Sequence, residues 1–181
     1  GYDVIFSSKK KDLDLVKKII LPGQGSYDFA IKQLEMIDLK NSIVEKVVKE
    51  NIPVLGICLG MQILSSLGFE NKKTSGLNLI PGEVKFMKDA PNKLPHLGWN
   101  TVKFVNMEDK IFKNLNNNND YYFIHSYYFK CKNSKNILAT TKFNQVFPAI
   151  VKEQSVYGIQ FHPEKSLKNG LKLIENFLGL I

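Results

Sequence analysis

Residues 52–62 read Ile52-Pro53-Val54-Leu55-Gly56-Ile57-Cys58-Leu59-Gly60-Met61-Gln62, and this stretch decides the fold. Its first half is almost wholly apolar, as expected of a strand covered on both faces in a parallel sheet. From Leu59 to Leu67 apolar residues return at helical spacing, and Gly68 is a suitable C-terminal stop. Between the two lies Gly56-Ile57-Cys58-Leu59-Gly60, the pattern G-x-nucleophile-x-G, in which small flanking residues permit a tight strand-to-helix turn that projects the side chain outward. At a helix N-terminus Cys58 also meets the partial positive charge that favours a thiolate, the nucleophilic form. The competing reading of a lone cysteine is a small core residue.

On its N-terminal side, Lys18-Ile19-Ile20-Leu21 is mainly apolar with two β-branched residues and runs into Pro22-Gly23-Gln24-Gly25, a strand ending in a Gly-rich loop. Between this loop and Ile52, apolar residues recur near helical spacing from Tyr27 to Glu50, with a break at 38–41, so two helices are expected. Residues 2–6 look like a further strand. Alternating strands and helices in this first third indicate an open parallel sheet. Beyond Gly68 the pattern changes: 82–86, 101–105, 121–128, 137–143, 149–152 and 156–161 read as strands at short intervals, some of them antiparallel additions. Ser166 is placed to cap a last helix ending at Leu178. No repeat or long linker divides the chain, which reads as a single domain over residues 1–181.

Composition narrows the function classes. The chain has 181 residues, 44% of them hydrophobic and 23% charged, which suits one domain with a full core. No apolar run approaches the roughly 18 residues of a membrane span, and no signal-peptide pattern opens the sequence. Two cysteines, Cys58 and Cys131, form neither a disulfide framework nor a metal cluster, so a reducing compartment such as the cytoplasm is expected. The net charge of +8 suggests nucleic acid, yet all 25 basic residues are Lys and none is Arg. Without the bidentate fork that reads guanine and grips phosphate, dispersed Lys reads as a solvated surface, and no nucleic-acid partner is expected.

A nucleophilic cysteine needs a base, and the chain has three histidines: His96, His125 and His162. His162 follows Gly158-Ile159-Gln160-Phe161, a strand end of the kind that faces ligands in α/β sheets. Glu164, two positions on across Pro163, can orient the imidazole. Cys58, His162 and Glu164 then read as nucleophile, base and orienting carboxylate. The competing reading of His162-Pro163-Glu164 is a capping turn before the last helix.

These residues carry a resemblance. Gly56-Ile57-Cys58-Leu59-Gly60-Met61-Gln62 with Gly158-Ile159-Gln160-Phe161-His162-Pro163-Glu164 resembles the class I (triad) glutamine amidotransferases, of flavodoxin-like three-layer αβα fold. Pro22-Gly23-Gln24-Gly25, Gly76-Leu77-Asn78-Leu79-Ile80-Pro81-Gly82, Pro95-His96-Leu97-Gly98-Trp99-Asn100, Tyr121-Tyr122-Phe123-Ile124-His125-Ser126-Tyr127 and His162-Pro163-Glu164-Lys165-Ser166 are similar, within that family, to the glutaminase subunits of imidazole glycerol phosphate synthase, from histidine biosynthesis. The resemblance spans nearly the whole chain. Members usually begin about one strand and one helix earlier, so an incomplete N-terminus is expected, and Gln24 stands where they carry a small apolar residue.

The resemblance implies glutamine hydrolysis through a Cys58 thioester, with no metal and no cofactor. It implies an oxyanion hole from the Leu59 N–H and the Gly23-Gln24 peptide region, a peptide whose flanking glycines let it turn over when a partner or ligand arrives. It assigns the substrate L-glutamine to Gly25, Gln62, His125, Ser126 and Tyr127, with Glu70 a candidate for its ammonium group. It also implies a heterodimer, in which a (β/α)₈-barrel synthase subunit docks on the face of Trp99, Tyr122 and Lys165 and receives the ammonia. His96 and Cys131 are read as structural. Two other functions remain open at this level: a glutaminase feeding a different acceptor, such as a sugar precursor, and a non-catalytic binding module of the same fold.

Overall fold

The computed structural model describes residues 1–87 and 93–180. In chain order the elements are β1 (Ile19–Leu21), α1 (Tyr27–Met36), α2 (Leu39–Glu50), β2 (Val54–Ile57), α3 (Leu59–Ile63), β3 (Leu67–Gly68), β4 (Thr74–Ser75), β5 (Gly82–Phe86), β6 (His96–Phe104), β7 (Asn119–His125), β8 (Tyr127–Cys131), β9 (Ile137–Phe143), β10 (Gln145–Glu153), β11 (Val156–Ile159) and α4 (Leu167–Leu178). The main sheet has seven strands in the order β1-β2-β11-β10-β9-β6-β7; a smaller one runs β4-β3-β5-β8.

Strands β1, β2 and β11 are parallel, whereas β10, β9, β6 and β7 continue the sheet antiparallel. Strands β2 and β11 are apolar on both faces because both are covered, whereas β1, at the sheet margin, leaves Ile20 exposed. Val54 and Val156 face a core with Ile31, Ile43 and Val47 of α1 and α2, while Leu55 and Tyr157 face a second core with Leu173 and Phe177 of α4. This is the three-layer α/β arrangement with antiparallel additions that the sequence pattern predicts.

Four expectations are corrected. Residues 2–6 form no strand: they pair with nothing in the sheet and Tyr2, Val4, Ile5 and Phe6 are exposed. The helix after Cys58 ends at Ile63, and Leu67 and Gly68 pair instead with β4 and β5. The run 121–128 is two strands in different sheets, broken at Ser126. Ser166 starts α4, but its hydroxyl donates to the His162 carbonyl at 2.6 Å and accepts from the Tyr122 N–H at 3.0 Å rather than capping the helix.

Candidate active site

The nucleophile turn is set by close approach. A Cβ on Gly60 would lie 1.7 Å from the Leu21 carbonyl oxygen, and one on Gly56 would lie 2.5 Å from that of Gly60. Only glycine lets α3 begin this close to the ends of β1 and β2, and that approach brings the Pro22–Gly25 loop beside Cys58. Cys58 has φ 53° and ψ −109°, a conformation that costs a non-glycine residue about 1–3 kcal/mol. Its backbone is held there: the N–H donates to Ile159 O at 2.8 Å, and the carbonyl accepts from Gln62 N–H at 3.1 Å.

Parallel pairing of β2 with β11 puts Ile57 opposite Ile159, so Cys58 and His162 leave neighbouring strands at the same sheet edge. The two line one cavity of about 330 Å³. His162 is clamped through its backbone, its N–H donating to Tyr122 O at 2.8 Å. Its Nδ1 lies 2.7 Å from Glu164 Oε1. A carboxylate only accepts, so the neutral imidazole carries its proton on Nδ1 and presents Nε2 as the basic atom. That Nε2 is buried and has no hydrogen-bond partner among the described residues.

Cys58 differs from the thiolate expected at a helix start. Burial pushes its thiol up to about 11; the Leu59 N–H and the Lys165 charge favour the thiolate, but Glu164 opposes it and the five-residue helix does not outweigh desolvation. Cys58 is therefore a thiol at neutral pH, and its activation requires a proton acceptor such as His162 Nε2. Its Sγ lies 3.9 Å from Ile124 O and 4.0 Å from Gln160 Nε2.

The other expected residues gather around this pair. Gln24 and Leu59 line the cavity, and the Gly23 backbone packs on the Leu59 side chain, 3.3 Å from Leu59 Cβ to the position of a Gly23 Cβ. Gly25, Gln62, Glu70, His125, Ser126 and Tyr127 line it as well. Glu70 Oε2 already accepts the Tyr27 N–H at 2.8 Å, at the start of α1. Gln62 Nε2 donates to Tyr127 O at 3.1 Å and to Gln160 Oε1 at 3.3 Å. Trp99 and Tyr122 meet edge to face with centroids 6.0 Å apart, and the Lys165 ammonium lies 6.0 Å from the Tyr122 ring centroid. Lys165 also lines the cavity, which joins this exposed surface to the site.

Gln160 is the residue that motif reading passed over. It is fully buried between Gln62 and the sulfur, and its signal was available: a lone amide in the apolar run from Val156 to Phe161, next to the histidine. Among the described residues no cluster of His, Cys, Asp and Glu has metal-site geometry.

A buried thiol and a tautomer-fixed imidazole on parallel strand ends suit cysteine-nucleophile acyl transfer. Comparison with known proteins makes the class specific. The chain belongs to the class I glutamine amidotransferase family, whose profile matches residues 3–180. It is 43% identical over 179 residues, 98% of the chain and 88% of the relative, to "Imidazole glycerol phosphate synthase subunit HisH 2" of Methanococcus maripaludis. It is 42% identical over 181 residues to "Imidazole glycerol phosphate synthase subunit HisH" of Methanocaldococcus jannaschii, covering 99% of the chain and 89% of that protein. Among solved structures, one described as a glutamine amidotransferase superposes with TM-score 0.73 at 19% identity, covering 96% of this chain and 83% of its own. The glutaminase domain of Trypanosoma brucei CTPS superposes with TM-score 0.65 at 20% identity, covering 95% and 75%. The fold is thus that of class I glutamine amidotransferases, with the flavodoxin-like three-layer core.

Proposed function

We propose that the chain is the glutaminase subunit of an imidazole glycerol phosphate synthase, releasing ammonia from L-glutamine for histidine biosynthesis. The observation that carries this reading is the meeting of Cys58 and His162 in one cavity, with Glu164 against the far nitrogen of the His162 ring, on a chain more than two-fifths identical to such subunits over nearly its full length. Cys58 Sγ attacks the side-chain carboxamide carbon while its proton passes to His162 Nε2. The imidazolium, held by Glu164, gives that proton to the departing ammonia. Water then attacks the γ-glutamyl thioester with His162 as base, releasing glutamate. The developing oxyanion is met by the Leu59 N–H at the start of α3 and by an N–H of the Gly23-Gln24 region. Gly25, Gln62, Ser126, Tyr127 and Glu70 bound the space for the glutamine.

Free ammonia is protonated in water and ceases to be a nucleophile, so a second active site must lie close by. The docking face has a physical basis in β6 and β7. Their alternation buries His96, Tyr121, Phe123 and His125 and leaves Leu97, Trp99 and Ile124 exposed with Tyr122 half-buried among them, Leu97 paired with Ile124 and Trp99 with Tyr122. An apolar surface centred on a Trp, beside the cavity mouth, suits a protein partner. In this proposal the partner is a (β/α)₈-barrel synthase subunit contacting Trp99, Tyr122 and Lys165. No helix of the described residues is long and apolar enough to cross a membrane, and we place the complex in the cytoplasm.

Glutamine labelled with ¹⁵N in its amide, supplied to the chain with its co-purified partner, tests the assignment. Label in the imidazole product supports it. Label in an aminated sugar instead assigns the ammonia to a different acceptor, and no glutamate release identifies a binding module.

A further inference from the structure

His96 is read from sequence as structural, yet its ring stands at the centre of a directed chain of hydrogen bonds. The order is fixed by its ends. The Tyr127 carbonyl only accepts, so His125, with Nδ1 2.7 Å from it, carries its proton on Nδ1. The Nε2 of His125 is then an acceptor, and His96 Nδ1, 3.0 Å away, must donate to it. The His96 Nε2 is left as an acceptor, and Asn100 Nδ2 donates to it at 3.1 Å while also donating to Lys142 O at 3.0 Å. Both imidazoles are neutral: burial pushes His96 down to about 4 and His125 down to about 3. Aromatic rings hold the His96 plane, with Phe123 stacked at 4.6 Å and Phe143 at 4.1 Å between centroids.

Inward, the chain continues to the sulfur. The Tyr127 carbonyl accepts a second hydrogen bond, from Gln62, and Gln62 meets Gln160, whose amide faces Cys58 Sγ. Outward, it ends in a second cavity of about 380 Å³ lined by His96, Trp99 and Asn100 among others. One tautomer choice at His96 therefore connects the surface below Trp99 to the wall of the glutamine cavity.

We propose that His96 is a positioning residue of the glutamine site: its Nδ1–H, donated to His125, fixes the Tyr127 carbonyl and through it the Gln62–Gln160 amide pair beside Cys58. This rests on the glutaminase reading above. His96 does not touch the cavity itself and acts through His125. If the Nδ1–H is removed, the buried His125 Nε2 loses its donor; either it remains orphaned or the proton leaves Nδ1 and the Tyr127 carbonyl is released. A ring that only fills space would show neither effect.

His96→Phe keeps the stack with Phe123 and Phe143 but has no donor, whereas His96→Asn places an amide N–H near the Nδ1 position. In the synthase complex, with glutamate release measured across glutamine concentrations, His96→Phe is expected to raise KM about tenfold, the scale of an orphaned buried acceptor. His96→Asn is expected to bring KM back to within about threefold of the parent protein. Equal KM for His96→Phe and parent, or equal impairment of both variants, overturns the proposal. A second measurement does not depend on the variants folding: ¹⁵N imidazole resonances of the parent protein must show both His96 and His125 with the proton on Nδ1. A proton on Nε2 of His125 at neutral pH also overturns it. Failure of the parent to release glutamate would instead count against the glutaminase reading, and the imidazole resonances would still decide the hydrogen-bond order.

Discussion

Along the main sheet, the parallel strands β1, β2 and β11 and the antiparallel strands β6 and β7 supply different parts of the site. Strands β2 and β11 are buried on both faces, β1 at the sheet margin is buried on one, and all three project function from their ends: the Pro22–Gly25 loop, Cys58 and His162 leave the same edge. Strands β6 and β7 are covered on one face only, so alternate residues serve two purposes. One set enters the core as His96, Phe123 and His125, and the other faces outward as Leu97, Trp99 and Ile124. Reacting groups thus sit where the backbone is most constrained, while the half-covered strands connect the ligand wall to the surface.

This contrast can be broken from either side. The largest effect is expected on the parallel side, where His162→Ala removes the basic atom that shares a cavity with a thiol held protonated; glutamate release should fall by about four orders of magnitude, with folding unchanged by circular dichroism. A loss below about tenfold would mean that another group accepts the proton. Gly60→Ala comes next: its methyl would press on the Leu21 carbonyl oxygen, and a destabilisation of about 3 kcal/mol or more by urea unfolding is expected. On the antiparallel side, Trp99→Ala should weaken partner affinity by about 10–50-fold, as for a central interface aromatic, measured by titration calorimetry.

The smallest effect concerns protons. His96 and His125 lie below the ordinary histidine value of 6.5 in the folded chain, at about 4 and about 3, so near pH 5 the unfolded chain binds about two more protons at these residues. Stability contributed by keeping them neutral is present above about pH 6.5 and is lost as pH falls toward the folded values. In His96→Phe one of the two protons disappears, which should flatten the stability curve near pH 5 by about 1.4 kcal/mol per pH unit. An unchanged slope would show that His96 titrates normally in the folded chain.

What could be read without coordinates follows the same division. The parallel strands were legible because double burial writes an uninterrupted apolar run and because the sharp turn admits only glycine around Cys58. The His162–Glu164 half of the proposed triad was legible because the two residues lie close together in sequence. The break at Ser126 was hidden: residues 121–128 are uniformly strand-forming, and only the competition between two sheets for β7 and β8 divides them. Residues 2–6 have a strand's composition, but a strand exists only where a neighbour pairs with it, and none of the described residues does. The protonation of Cys58 was also out of reach, because desolvation is set by what packs around the sulfur and by no motif. The His96–His125 contact joins residues 29 positions apart across β6 and β7 and emerges only from their register.

The central claim is that Cys58, served by His162, opens the glutamine carboxamide. The direct measurement is glutamate release from L-glutamine by the chain in complex with its synthase partner, comparing the parent protein with Cys58→Ala. Steady release by the parent, with loss of essentially all of it in Cys58→Ala and a γ-glutamyl adduct on the Cys58 peptide after acid quench, is the predicted result. Equal release by the two proteins would contradict it.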